Sequence, residues 1–201
     1  MSASVSNKEI LETLTGLNSV LSQPVWLFGG VAVDFLVGRW TRPHGDIDIN
    51  AYASYRRQLT RELNAIGFHT NNSGWLTHWA REKAEWRLEV VFLERGSADS
   101  GILVIPPDDP IGVPGRHATL AGYLDPNRHA TLDGVTFRVC SPSGEWLARV
   151  VAPGIIKGRP PDPKIEHDRI LLESLLPAAE LATLRNLASR GLAARRFRGA
   201  R

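Results

Sequence analysis

The stretch Val25–Asn50 constrains the fold more than any other part of the chain. It starts with a short apolar run that ends at Gly29-Gly30, and an apolar segment of one or two helical turns follows. After a polar bend, Asp46–Ile49 alternates polar and apolar residues with period two, which predicts a half-buried strand. This order of strand, glycine pair, helix, bend and strand predicts a sheet flanked by helices.

The predicted strand places two carboxylates, Asp46 and Asp48, on one face of the sheet. Such carboxylates stand about 7 Å apart along a strand, so both can reach one hard cation. Gly29 and Gly30 allow backbone N–H groups to approach an anion at a helix N-terminus. Either motif alone is usually a solvated strand face or a plain turn. Together they predict a site for a metal ion and a triphosphate.

This stretch resembles the nucleotidyltransferase superfamily, in which a Gly-Gly pair is followed by Asp-x-Asp on the second strand. It is most similar to the antibiotic-modifying branch, the lincosamide nucleotidyltransferases and aminoglycoside 2''-adenylyltransferases. The matching positions are Gly29, Gly30, Asp34, Gly38, Thr41, Arg42, His44, Asp46, Ile47 and Asp48.

The resemblance implies an α/β (α+β) fold, with a small mixed sheet flanked by helices and a helical C-terminal part. We expect a nucleotidyltransferase core over residues 1–140 and a helical region over residues 141–201 that completes the active-site cleft. The implied reaction is Mg²⁺-dependent transfer of a nucleoside monophosphate to a hydroxyl of a small molecule, with release of pyrophosphate. ATP, or another nucleoside triphosphate, would be the donor, and an aminoglycoside or lincosamide antibiotic the acceptor.

A third carboxylate, Glu89, lies within the predicted strand Trp86–Leu93. On a largely apolar strand an unpaired carboxylate is costly to bury, so Glu89 requires a cation. Members of the resembled family carry a third carboxylate on a later strand, commonly as Asp, and Glu89 occupies that place. It would act as a metal ligand or as the general base. Glu85 and Glu94 are the alternatives.

The resemblance also implies which groups contact the nucleotide. The amides of Gly29 and Gly30 would hold the β- and γ-phosphates. Arg42 would bind a phosphate or brace its loop. Asp34 would pair with Arg39 or Arg42 rather than act in catalysis.

Farther along the chain, Lys164 opens a segment that resembles the Lys-x-x-His-Asp element of the family. Lys164 would face the triphosphate, with Lys157 as a further candidate, and Asp168 would brace His167 or a loop. The alternative is that acidic residues here only complement a helix dipole.

Helix boundaries follow from capping signals. Ser6 starts a capping box, and Asp162 followed by proline predicts another helix start. Ser54 predicts the N-cap of a helix that ends near Ile66, and a last helix is predicted over Ala178–Arg190.

The acceptor pocket is harder to predict, because its specificity resides in loops. Residues 116–133 show no clear periodicity and are expected to form a loop beside the pocket. The aromatic residues that would line it, unless they pack in the core, are Trp75, Trp79, Trp86 and Tyr123.

Composition restricts the partners. The pI near 9.3 invites a nucleic-acid interpretation, but much of the excess charge lies in the terminal segment 195–201. No apolar run approaches the ~20 residues of a membrane span. Cys140 is the single cysteine, which excludes an intramolecular disulfide, so we expect it to be a core thiol in a cytoplasmic protein. Two alternatives remain open: transfer to a macromolecule such as tRNA or protein, and a non-catalytic nucleotide-binding domain.

Overall fold

A computed structural model describes residues 5–70, 72, 74–82, 86–151 and 162–198, with side chains described as far as residue 189. The elements in chain order are α1 (Asn7–Val20), β1 (Trp26–Phe28), α2 (Gly29–Val37), β2 (Asp46–Tyr52), a 3-10 helix (Ala53–Tyr55), α3 (Arg56–Ala65), β3 (Phe68–His69), β4 (Leu76–Arg81), β5 (Arg87–Arg95), β6 (Gly101–Ile105), β7 (Gly115–Ala118), β8 (His129–Leu132), β9 (Val135–Arg138), α4 (Pro142–Val151), α5 (Pro163–Leu175) and α6 (Ala178–Arg198).

A mixed sheet forms the centre of the fold, with strand order β1-β2-β5-β4-β3. β2 and β5 run parallel, whereas β1 with β2 and β4 with β5 run antiparallel. β6 pairs with the end of β5 and carries β7, and β8 and β9 form a separate hairpin. The predicted fold class, a small mixed sheet flanked by helices, is confirmed.

The main core lies on one face of this sheet. Ile47 and Ile49 of β2 and Leu88 and Val90 of β5 pack there against α1, α2 and α3. The alternation that buries these residues turns the carboxylates of both strands to the opposite face.

The C-terminal helices attach to the core through α2. Val33 is fully buried against Trp146 of α4, Leu172 of α5 and Leu184 of α6. These contacts hold the helical part beside the first turns of α2. The division of the chain at residue 140 stays a prediction.

Several predicted boundaries differ from the observed ones. Ser6 and Asp162 cap α1 and α5 as predicted. Ser54 is not a cap, because the chain enters α3 through a 3-10 turn and Tyr55 occupies the N-cap position without a side-chain bond. The last helix continues past the predicted end at Arg190 to Arg198. Among the described residues, no helix is long and apolar enough to cross a membrane.

Candidate active site

Three carboxylates converge on one face of the sheet, where β2 and β5 lie side by side. Asp48 and Glu89 are direct partners in the parallel ladder, and Asp46 lies on the same face two residues before Asp48. One oxygen of each side chain lies within 4.8 Å of the others. All three side chains are half-buried, so their charges are close together yet reachable from solvent.

Glu89 contacts two nitrogen-bearing side chains, the guanidinium of Arg87 and the ring of His78. Arg87 Nε donates to Glu89 Oε1 at 2.5 Å, and His78 Nε2, on the opposing residue of β4, lies 3.5 Å from the same oxygen. Arg87 thus supplies the positive charge that the sequence predicted beside Glu89. Within the described part of the chain both contacts use Oε1, which leaves Oε2 for a metal ion or an acceptor hydroxyl.

The electrostatics of Asp48 favour a bound cation. Burial raises the pKa of Asp48, the negative charges of Asp46 and Glu89 raise it further, and Arg149 opposes them. Carboxylates this close cannot all ionise cheaply unless a positive charge lies between them. Mg²⁺ prefers oxygen ligands and is commonly bound by one or two protein carboxylates plus phosphate oxygens. The donor set therefore fits Mg²⁺.

The glycine pair at the start of α2 allows charged side chains to approach the backbone. Gly29 has a φ of +76°, and a Cβ atom there would overlap Oδ2 of Asp48. A Cβ atom on Gly30 would overlap the Arg42 guanidinium and the His44 ring. Neither position can take a larger residue without displacing these groups.

Glu145 of α4 occupies the helix N-terminus that the sequence predicts to hold phosphate. Its Oε2 accepts a hydrogen bond from the Gly29 N–H at 3.0 Å and another from Arg149 at 2.9 Å, while the Tyr123 hydroxyl donates to Oε1 at 2.8 Å. Burial raises the pKa of Glu145, and the Arg149 charge opposes this shift. No role for Glu145 or Arg149 was predicted from the sequence. Their i, i+4 spacing on an otherwise apolar helix face was the available signal.

Asp168 of α5 joins the C-terminal helices to the loop before β2. Arg42 binds it with two hydrogen bonds of 3.1 Å, and Arg149 lies 3.3 Å from Oδ2. The structure thus places Arg42 as a loop brace and Asp168 as the residue that holds it. A phosphate-binding role for Arg42 stays a prediction.

Asp34 of α2 is fully buried and binds the loop that follows this helix. Its Oδ2 lies 2.6 Å from His44 Nε2, and its Oδ1 accepts from the Thr41 hydroxyl at 2.5 Å. The predicted ion pairs of Asp34 with Arg39 or Arg42 are therefore wrong. His44 folds back over the start of α2 and binds this carboxylate instead.

The remaining predicted residues are spread out. Lys164 is exposed on α5 one turn before Asp168, so both lie on the same face of this helix. Glu94 is exposed at the end of β5, in an ion pair with an arginine of β7, away from the three carboxylates. Lys157 and Glu85 lie outside the described residues.

A cavity of about 220 Å³ is lined by Phe28, the ladder partner of Asp48, and by Asn50, two residues after Asp48 on the same face of β2. Trp75 and Tyr123, which were predicted to line an acceptor pocket, line this cavity. The loop predicted over residues 116–133 is wrong at both ends, where the chain forms β7 and β8, and Thr119 and Leu120 between these strands also line the cavity. Trp79 and Trp86 instead pack in the core. Cys140 is a buried free thiol, as predicted.

A family model and a curated relative both connect this chain with antibiotic resistance proteins. A family model described as aminoglycoside-2''-adenylyltransferase matches residues 9–148. A lincosamide resistance protein of Staphylococcus haemolyticus is 32% identical over 85 residues, which are 42% of this chain and 49% of that protein. The chain therefore matches about half the length of this curated relative.

Solved structures share the fold. The crystal structure of the lincosamide antibiotic adenylyltransferase LnuA with lincomycin bound has a TM-score of 0.63 and 19% identity, covering 87% of this chain and 100% of LnuA. ANT(2'')-Ia in complex with adenylyl-2''-tobramycin has a TM-score of 0.67 and 17% identity, covering 92% of this chain and 97% of its own. The family match extends over most of the chain, and the fold agrees with it. The chain belongs to the aminoglycoside-2''-adenylyltransferase family.

Proposed function

We propose that this protein is a Mg²⁺-dependent nucleotidyltransferase that transfers AMP from ATP to a hydroxyl of a small molecule. The acceptor oxygen attacks the α-phosphorus, the bond from that phosphorus to the bridging oxygen breaks, and pyrophosphate leaves. The observation that carries the proposal is the convergence of Asp46, Asp48 and Glu89 within 4.8 Å, beside a helix N-terminus.

Asp46, Asp48 and Glu89 would hold the metal. Mg²⁺ bound there would neutralise charge on the triphosphate and polarise the reacting phosphate. The fit rests on an all-oxygen donor set and on the burial of Asp48, which raises its pKa together with the neighbouring negative charges of Asp46 and Glu89. Glu89 has a second possible role, because its Oε2 could take the proton of the acceptor hydroxyl while Arg87 holds Oε1.

The triphosphate would extend toward α2 and α5. In the antiparallel ladder Phe28 pairs with Asp48, so the start of α2 lies near the Asp46 end of β2. A helix N-terminus favours anions, and the Gly30 amide belongs to its first turn. Lys164 and Arg42 would add positive charge to this end of the site.

The acceptor would be an antibiotic or a molecule of similar size. The relatives named above include proteins associated with lincomycin and with tobramycin. We propose a small-molecule acceptor and the cytoplasm, where ATP and Mg²⁺ are supplied, as the compartment. Oligomeric state forms no part of the proposal.

The test is incubation of the full chain with ATP and Mg²⁺ against lincomycin, tobramycin and bulk tRNA, with pyrophosphate and product mass both measured. We expect pyrophosphate release and a mass gain of one AMP on a small acceptor, and both should disappear in an Asp48→Asn variant. A mass gain on tRNA alone would favour the macromolecular alternative. Nucleotide binding without Mg²⁺ and without pyrophosphate release would contradict the proposal.

A further inference from the structure

The cavity beside the carboxylates lies on the same face of the sheet, one row of residues farther along the strands. Direct pairing across the sheet makes one row of Phe28, Asp48, Glu89 and His78. The next row contains Asn50 and Val91, and these residues line the cavity. The other walls come from β6, β7, the loop before Tyr123 and α4, which contribute among others Leu103, His117, Thr119, Tyr123 and Leu147.

The position of the cavity matches the side from which an acceptor must arrive. In phosphoryl transfer the attacking and leaving oxygens stand roughly in line on opposite sides of the phosphorus. The start of α2 lies toward the Asp46 end of β2, where the leaving pyrophosphate would lie. The cavity lies beyond Asp48 in the other direction, toward Asn50. An oxygen that attacks in line would therefore come from the cavity.

The chemistry of the walls is apolar. None of the lining residues that the structure describes is an Asp or a Glu, and most are aliphatic or aromatic. Several polar groups in the wall are bonded within the protein. The Asn50 amide donates to the Tyr123 hydroxyl at 3.3 Å, His117 Nε2 lies 3.0 Å from a backbone carbonyl, and Thr119 Oγ1 accepts from a backbone amide at 2.8 Å.

Such walls select against multiply charged acceptors. A protonated amine that leaves water for an apolar wall loses its hydration and requires a carboxylate partner. The nearby carboxylates have other partners. Glu145 binds Arg149 and a backbone amide, Glu89 binds Arg87, and both Asp48 and Glu89 belong to the metal-binding set. A ligand with a hydrocarbon flank would instead gain by covering Val91, Leu93 and Leu103.

We propose that this cavity holds an acceptor that has an apolar flank next to its reacting hydroxyl and at most one positive charge, and that it discriminates against polycationic aminosugars. The inference rests on the proposed function, because it assigns the second substrate of that same site. Of the two acceptor classes that the similar structures contain, a lincosamide and an aminoglycoside, the cavity favours the lincosamide class.

The experiment compares two probes with the unmodified full chain, with ATP and Mg²⁺ present. Lincomycin carries a single basic amine and hydrocarbon surface, whereas tobramycin carries several amines. We expect kcat/KM for lincomycin to exceed that for tobramycin by at least about tenfold, since an unpaired buried charge is strongly disfavoured. Equal values or a preference for tobramycin would overturn the inference and leave the nucleotidyl transfer intact.

Two neighbouring residues of β6 provide a matched pair of variants. Leu103 lines the cavity, and Ile102 is equally half-buried but points to the opposite face of the strand. Leu103→Asp should lower the lincomycin-to-tobramycin ratio by about tenfold, because it adds the missing carboxylate. Ile102→Asp should leave the ratio unchanged. A ratio that moves equally in both variants, or in neither, would contradict the assignment of the cavity.

Acceptor binding separates this inference from the proposed function. Trp75 lines the cavity, so its fluorescence should respond when lincomycin binds, whether or not turnover follows. Saturable lincomycin binding that Leu103→Asp weakens, with no pyrophosphate release from any acceptor, would support the cavity and contradict the transferase proposal. If Leu103→Asp does not fold, the preference between the two probes on the unmodified chain decides the matter.

Discussion

Replacing Asp48 with Asn should abolish turnover and at the same time stabilise the metal-free fold. Asp48 stands between Asp46 and Glu89, with one oxygen of each within 4.8 Å. At that separation, two unit charges repel by about 3 kcal/mol in an effective dielectric near 20. Proton uptake relieves part of this repulsion, so we expect the substitution to raise the free energy of unfolding by about 1–2 kcal/mol, or ~2–8 °C in Tm.

The pH dependence has a defined sign. Because the pKa of Asp48 is raised in the folded state, the folded state binds more protons than the unfolded chain. The unmodified protein without metal should therefore lose stability as pH rises from about 4 through the raised pKa of Asp48, and Asp48→Asn should lose less.

Thermal unfolding in the presence of a chelator and pyrophosphate release with Mg²⁺ and ATP measure the two effects on the same preparation. Turnover should fall at least about 10³-fold, because a bound metal contributes several kcal/mol of transition-state stabilisation. Turnover within tenfold of the parent, or a loss of stability typical of a core substitution, would refute the reasoning from crowded carboxylates.

Three further predictions concern other parts of the site, and two of them come with a control variant. Glu89→Gln should lower kcat at least about 10²-fold if Glu89 is a ligand or base, and unchanged kinetics would exclude both roles. Gly29→Ala should destabilise the fold and lower activity, because its Cβ would overlap a neighbouring carboxylate and its φ is +76°. Gly16→Ala in α1 is the control, since a Cβ there has open space around it. In thermal unfolding this control should be neutral or stabilising by up to about 1 kcal/mol. Asp168→Asn should cost about 3 kcal/mol in denaturant unfolding, because it leaves the buried Arg149 and the half-buried Arg42 without this partner. Arg42→Gln should cost less. Stability equal to that of the parent in Gly29→Ala or in Asp168→Asn would contradict the contacts of these two residues.

The predictions that the structure confirms were based on patterns among residues close in sequence. The alternation of Asp46–Ile49 determines which side chains share a face, and this property depends on the strand alone. The capping groups of α1 and α5 are likewise contacts between residues close in sequence. The strand at Gly101–Ile105 gave no prediction, because a continuous apolar run has no period that separates strand from helix.

The errors have physical causes too. α6 continues through Gly191 because an interior glycine costs only about 1 kcal/mol in a helix, which tertiary contacts of Leu184 and Ala188 can offset. Ser54 has capping chemistry, but the 3-10 turn at Ala53–Tyr55 moves the helix start beyond it.

The site was only partly predictable from the sequence, because the charged residues that surround the three carboxylates come from elements far apart in the chain. Glu145, Arg149 and Asp168 lie on two helices, and they meet the glycine turn only after those helices pack on α2. A single sequence shows the charges but not which loop they will face. The parallel register that sets Glu89 opposite Asp48 is equally non-local, and the predicted strand indicated only that a cation was needed.

Direct metal binding tests the central claim, that these carboxylates seat a divalent cation beside the glycine turn. Mn²⁺ can stand in for Mg²⁺ and be followed by electron paramagnetic resonance as it is titrated into the full chain with ATP present. We expect saturable binding that Mg²⁺ competes away and that Asp48→Asn abolishes. Glu94→Gln, an exposed control on the strand that carries Glu89, should preserve it. Mn²⁺ binding that survives Asp48→Asn unchanged, or no binding to the unmodified chain, would contradict it.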